Sequence, residues 1–119
     1  MAKPLLTTPR TALGRWNEDL AAEEYQRRGY GVIDRNWRCP DGEIDLVMRR
    51  DDTIVFCEVT TRRSDAFGTA AMAVDQTKQV KVRRLAAAWL AAHGERRVEV
   101  RFDVAAIDGN RLEIIEAAF

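Results

Sequence analysis

At 119 residues the chain has room for one domain, and with 46% hydrophobic and 32% charged residues it can bury a core as a globular protein does. Its 19 Lys and Arg residues balance 19 Asp and Glu residues, which argues against a broad electrostatic binder that holds nucleic acid by phosphate neutralisation alone. Two cysteines and one histidine leave no basis for a disulfide scaffold, a zinc cage or a histidine-based triad. Any chemistry must come from carboxylates, lysines or hydroxyls.

Residues Met1 to Arg10 carry Pro4 and Pro9 and no apolar signal-peptide core. They read as a flexible lead-in to a domain over 11–119, and a cytoplasmic address is the expectation. No apolar run approaches the roughly 20 residues that a membrane-spanning helix needs, so no membrane partner is expected. Thr8 followed by Pro9 is a cap and first position for a first helix, with Leu13, Trp16 and Leu20 at helical spacing and Gly29 as the stop. A strand-like stretch covers Gly31 to Trp37, and Pro40-Asp41-Gly42 is a turn signal. Two further strands follow, Glu43 to Arg49 and Thr53 to Thr61. An alanine-rich helix is expected from Ala70 to His93, then strands Val98 to Ile107 and Arg111 to Ile115, hinged at Asp108-Gly109-Asn110. The order α-β-β-β-α-β-β predicts a single α/β domain with a mixed central β-sheet flanked by helices. Trp16, Trp37 and Trp89 are expected in the core, as is Cys57. Positive charge clusters at Arg62-Arg63, from Lys78 through Arg84 and at Arg96-Arg97, either as solvated surface or as a binding face.

The hairpin between the second and third strands carries most of the chemical information. A turn centred on Asp51-Asp52 pairs Arg50 with Thr53 and Met48 with Val55, and continuing that register sets Asp45 opposite Glu58. Cross-strand neighbours have β-carbons about 4.5–5.5 Å apart, and like charges held that way repel. Glu58 also lies in the run Ile54-Val55-Phe56-Cys57-Glu58-Val59, apolar on both faces, where an uncompensated carboxylate is costly. Two readings fit. Either Glu58 meets an arginine such as Arg101 while Asp45 caps a loop, or the two carboxylates share a divalent metal. Magnesium is held by one or two carboxylates plus waters and phosphate oxygens, which a facing Asp–Glu pair can offer.

Two more residues break local rules. Glu18 falls at the border of the first helix's apolar stripe, close to Ala22 and Tyr25. Lys78 projects from the middle of the second helix's apolar face, defined by Val74, Leu85 and Trp89. It either snorkels along its own stem or pairs with carboxylates of the neighbouring sheet. Arg101 and Asp103 share a strand face and are expected to pair with groups of the first helix.

The segments Gly14-Arg15-Trp16-Asn17-Glu18, Arg35-Asn36-Trp37-Arg38-Cys39 and Gly42-Glu43-Ile44-Asp45-Leu46-Val47 closely resemble the small bacterial YraN family. So do Val55-Phe56-Cys57-Glu58-Val59-Thr60-Thr61-Arg62, Ala73-Val74-Asp75 with Lys78-Gln79, and Arg101-Phe102-Asp103-Val104. The resemblance runs in order from about Leu13 to Val104. That family is similar to the PD-(D/E)XK nucleases, in particular to Holliday-junction resolvases, which implies a restriction-endonuclease-like fold and a metal-dependent phosphodiester-cleaving centre. It implies Glu18, Asp45 and Glu58 as ligands of Mg or Mn. Two positions depart from the family pattern: Asn17 replaces a glycine, and Thr60 replaces the lysine of the Glu-x-Lys element. That lysine is credited with positioning the attacking water or stabilising charge on phosphorus, an effect worth on the order of a few kcal/mol.

Three readings of Thr60 follow: Lys78 supplies the missing ammonium from the helix, the protein binds without cutting, or the metal alone sustains a slower reaction. The expectation is therefore a metal-dependent endonuclease acting on structured or branched DNA. Glu18, Asp45 and Glu58 hold the metal, Lys78 provides the cation, and Thr60 and Gln79 orient water or phosphate. Arg62, Arg63, Lys81 and Arg84 touch the nucleic-acid backbone, and a homodimer is expected by analogy with resolvases. The alternative is a nucleic-acid- or partner-binding module on the same scaffold.

Overall fold

Thr11 stands in extended backbone, and its hydroxyl accepts the Gly14 N–H at 2.9 Å, which opens helix α1 (Ala12–Arg27). The computed structural model describes residues 11–61 and 75–119. The expected start at Thr8-Pro9 lies outside them, and the helix begins at Ala12. Its packed face is also not the expected one. Leu13 and Trp16 are 57% and 56% exposed, whereas Asn17, Glu18, Ala21, Ala22 and Tyr25 are buried. The small side chains Ala21 and Ala22 let the helix lie close on the sheet, and this turns the larger Leu13 and Trp16 outward. The helix closes at Arg28, and Gly29 (φ 90°) turns the chain away, as expected of that glycine.

Strands β1 (Gly31–Cys39), β2 (Gly42–Arg50), β3 (Thr53–Thr61), β4 (Glu99–Asp108) and β5 (Arg111–Ile115) form one sheet in sequence order. All neighbours are antiparallel except β3 and β4, which run parallel from Thr53↔Glu99 to Thr61↔Ile107. Helix α2 (Gln76–His93) lies between those two strands in the chain. The architecture is the mixed-sheet α/β domain of order α-β-β-β-α-β-β. The expected helix start at Ala70 is corrected: residues 70–74 lie outside the described ones, and α2 opens at Gln76. Asp75, in extended backbone, accepts the Lys78 N–H on its carboxylate at 2.8 Å and so sets the start.

The β2–β3 hairpin has the expected register, with Arg50↔Thr53 and Met48↔Val55, and Asp51 takes a left-handed φ of 54° at its tip. Leu46, Met48, Val55, Cys57 and Ala105 pack under α1 with Ala21, Ala22 and Tyr25. On the other face Val47, Ile54, Phe56 and Phe102 meet Val82, Leu85, Ala86 and Trp89 of α2. Trp89 and Cys57 are therefore core and Trp37 packs at the core's edge, but Trp16 is a surface residue. No described helix is long and apolar enough to cross a membrane.

Under α1 the sheet holds one fully buried carboxylate, Asp103. It accepts the Tyr25 hydroxyl at 2.6 Å, two Arg101 guanidinium N–H groups at 2.9 Å and the Ala117 N–H at 3.0 Å. Arg101 is thus committed to Asp103 rather than to Glu58, and Asp103 reaches the first helix through Tyr25. Tyr25→Phe removes one charge-assisted hydrogen bond and is expected to cost about 2 kcal/mol. Asp103→Ala leaves the buried Tyr25 hydroxyl without its acceptor and Arg101 with Glu116 at 3.7 Å as its remaining carboxylate, and is expected to cost about 3 kcal/mol. Urea denaturation with an unchanged m-value checks both, and a Tyr25→Phe midpoint equal to wild type would show that the hydroxyl contributes nothing.

Candidate active site where strands β2 and β3 part

Backbone pairing between β2 and β3 runs as far as Leu46 and Cys57, and the next facing positions in that register are Asp45 and Glu58. Here Asp45 Oδ2 accepts the Val59 N–H at 2.9 Å, so a side chain takes over from the backbone ladder. Glu58 is 7% exposed. Its carboxylate lies 2.9 Å from the Lys78 ammonium, an ion pair between the strand and the first turn of α2. Lys78 stands on the helical row of Val82, Leu85 and Trp89, whose apolar members face the sheet. One turn before that row reaches the core, the same direction delivers the ammonium to Glu58.

An open cleft of about 630 Å³ lies at this point, lined by Asp45, Glu58, Lys78, Lys81, Asp75 and Glu43 among others. Burial and then the facing Glu58 push the Asp45 carboxyl up to about 7, against the pull of the Val59 N–H, with Glu18 and Glu43 adding repulsion. Burial works against the Lys78 ammonium, but Glu58 outweighs it, and the lysine is held above its ordinary value and stays charged. The cleft therefore pairs one proton-retaining carboxyl with one ion-paired carboxylate.

The structure brings together Asp45, Glu58, Lys78 and Lys81 in the cleft, and it sets the other candidates at varying distance. Glu18 is buried on α1, where the Asn36 amide donates to both its oxygens at 3.1 Å. Its field reaches Asp45, but Glu18 does not line the cleft. Among the described residues, no three acidic, histidine or cysteine groups form a ready-made metal cage. What the cleft offers is two hard oxygen ligands, which suits a magnesium-type ion completed by water and phosphate oxygens. Thr60 is half-buried two residues beyond Glu58, opposite Ala106 of β4. Gln79 is half-buried in the first turn of α2 and outside the cleft lining. Arg84 lies in an adjoining depression, and Arg62 and Arg63 lie outside the described residues.

The sequence reading missed three groups that shape this site. Asp75 caps α2 and fixes the turn bearing Lys78; an Asp three residues before Lys78 is an N-cap signal, masked by the earlier helix start assumed there. Asn36 holds Glu18 from a left-handed φ of 52°, which asparagine tolerates and periodicity does not reveal. Glu43 belongs to the cleft and also pairs with Arg38 at 3.3 Å.

The sequence profile of the uncharacterised protein family UPF0102 matches residues 17–107, a span that includes every residue just placed in the cleft. A UPF0102 protein of Frankia casuarinae is 46% identical over 91% of this chain and 96% of its own length. One from Acidothermus cellulolyticus is 43% identical, covering 92% of this chain and 95% of its own, and one from Geobacter sulfurreducens is 46% identical, covering 90% and 88%. The chain belongs to UPF0102. This is the YraN family whose segments the sequence resembles.

In this UPF0102 protein the raised Asp45 carboxyl has a direct consequence for stability. The folded chain retains the Asp45 proton from about pH 4 to about 7, where the unfolded chain has released it. More protons bound in the folded state means that the Asp45 contribution to stability falls as pH rises through that window. In chelator, Asp45→Asn is therefore expected to gain thermal stability relative to wild type between pH 4 and 7, with the gap levelling off above. A gap independent of pH would place the Asp45 carboxyl at its ordinary value.

Proposed function

We propose that this protein is a metal-dependent endonuclease acting on structured or branched DNA. The observation that carries the reading is the Lys78–Glu58 contact of 2.9 Å beside the facing Asp45. Two carboxylates and an ammonium meet in a cleft open to solvent. Asp45 and Glu58 are the residues that would hold Mg or Mn. Bound there, such an ion supplies charge neutralisation at phosphate and makes coordinated water more acidic. Lys78 carries the positive charge that the Glu-x-Lys element has lost at Thr60, and it stays protonated at neutral pH because Glu58 faces it. From α2 its ammonium is in position to hold a phosphate oxygen and to stabilise charge developing on phosphorus. Thr60 contributes a hydroxyl without charge, and Gln79 lies one residue beyond Lys78 on the same turn. Glu18 acts from behind the pair, through its field on Asp45, rather than as a third ligand in the cleft.

A second reading is favoured by two observations, the uncharged Thr60 and the engagement of Glu18 by Asn36. On it the chain keeps the scaffold and binds nucleic acid or a protein partner without cutting. Calorimetric titration of manganese separates the readings. Wild type is expected to bind and Asp45→Asn to lose binding. On branched DNA, Lys78→Ala is expected to cleave at least about a hundredfold more slowly while still binding manganese. Cleavage at the wild-type rate by Lys78→Ala would remove the lysine from the chemistry. Salt-sensitive DNA binding that survives Asp45→Asn, without manganese binding in any variant, would establish the second reading instead.

A further inference from the structure

Beside the row of Lys78, Val82 and Leu85, helix α2 carries a second row, Thr77, Lys81 and Arg84, at i, i+4 and i+7. Thr77 and Lys81 line the carboxylate cleft and also a shallower depression of about 430 Å³ whose other members are Asp41, Val80 and Arg84. The two hollows share those residues and make one groove, which leads from Asp45 and Glu58 past Lys81 to Arg84. Lys81 and Arg84 are exposed, and neither has an ion-pair partner among the described residues. The Lys81 stem lies along Gly42, where an added β-carbon would sit 3.0 Å from its Cε; the glycine makes room for the lysine to cross the groove floor.

Beyond the capping Asp75, whose carboxylate is turned to the Lys78 backbone N–H, the two walls of the groove differ in charge. Its helical wall presents Lys78, Lys81 and Arg84, while the rim formed by the β1–β2 turn and the start of β2 presents Asp41 and Glu43. Glu43 is partly offset by Arg38, but Asp41 has no partner among the described residues. A rail of cations facing an acidic rim suits one phosphodiester backbone. The phosphates of a second strand would have to lie against carboxylates, where like charges repel.

We propose that this groove seats one DNA strand at a time, with Lys81 and Arg84 holding successive phosphates on one side of the Asp45–Glu58–Lys78 centre. The substrate class is then a single-stranded segment, such as the unpaired arm of a flap, gap or opened junction. The proposal rests on the nuclease reading for the identity of the ligand, but its test does not require cutting.

The test is fluorescence anisotropy in chelator with a labelled oligothymidylate and a labelled duplex of equal length, each over a series of salt concentrations. Wild type is expected to bind the single strand more tightly. Lys81→Ala and Arg84→Ala are each expected to lower the salt slope by about 0.7, and the double variant by about 1.4, with circular dichroism unchanged. Asp41→Asn is expected to improve duplex binding more than single-strand binding. Slopes unchanged in both lysine and arginine variants, duplex bound as tightly as single strand, or no binding of either would each overturn the proposal. Strand binding as described by a protein that neither takes up manganese nor cleaves would leave the groove standing and remove the nuclease reading alone.

Discussion

A parallel strand pair cannot be closed by a tight turn, and the pairing of β3 with β4 therefore forces the chain out of the sheet and back over one face. That crossover ends in α2, which returns with Val82, Leu85 and Trp89 packed on Phe56 and Phe102. The first turn of α2 then stands over the end of β3, where Glu58 points to the same face as Phe56. The Lys78–Glu58 contact follows from this topology: the core row of α2 continues outward by one turn and meets the strand carboxylate. With antiparallel strands throughout, neither the helix nor its lysine would be needed at that place.

The sheet carries a buried aspartate, Asp103, and a half-buried one, Asp45, whose surroundings differ in kind. Asp103 accepts four hydrogen bonds from Tyr25, Arg101 and Ala117, and its guanidinium partner balances its charge. Such a network is complete, and it ties α1, β4 and the chain beyond β5 into one unit. Asp45 accepts one backbone N–H and faces a second carboxylate across a cleft open to water. Its surroundings raise the cost of its charge instead of paying it, and a cation from outside the chain would relieve that cost. Stability alone favours the first arrangement, and the second is the kind found where ligands bind.

Much of this was legible in the sequence, for reasons that differ by element. The β2–β3 register could be read because a symmetric two-residue tip, Asp51-Asp52, sets Arg50 against Thr53 and fixes each pairing inward, Met48 with Val55 among them. Lys78 could be read because it interrupts a stripe whose other members are plainly apolar. Helix α1 was misread because hydrophobicity favours Leu13 and Trp16, whereas close packing on a sheet favours Ala21 and Ala22. Glu18 was nonetheless correctly placed beside Ala22 and Tyr25, which are the residues that pack. Asn36 and Asp75 act through a backbone conformation and a cap, and neither leaves a trace in periodicity.

Moving a cation from a strand to a helix changes what its position depends on. On β3 a side chain at residue 60 would be held by ladders on the parallel β4 side, where Thr60 is registered with Ala106. On α2 the position of Lys78 depends on the helix starting at Gln76, and thus on the Asp75 cap that receives its N–H. A first turn lacks partners for its N–H groups within the helix and so leans on its cap. The proposed chemistry is therefore coupled to the order of one turn. The same turn carries Thr77 on the groove and leads into Lys81, so a phosphate bound there, as proposed, would steady the element that holds the ammonium. On this reading, binding of the strand and placement of the cation reinforce each other.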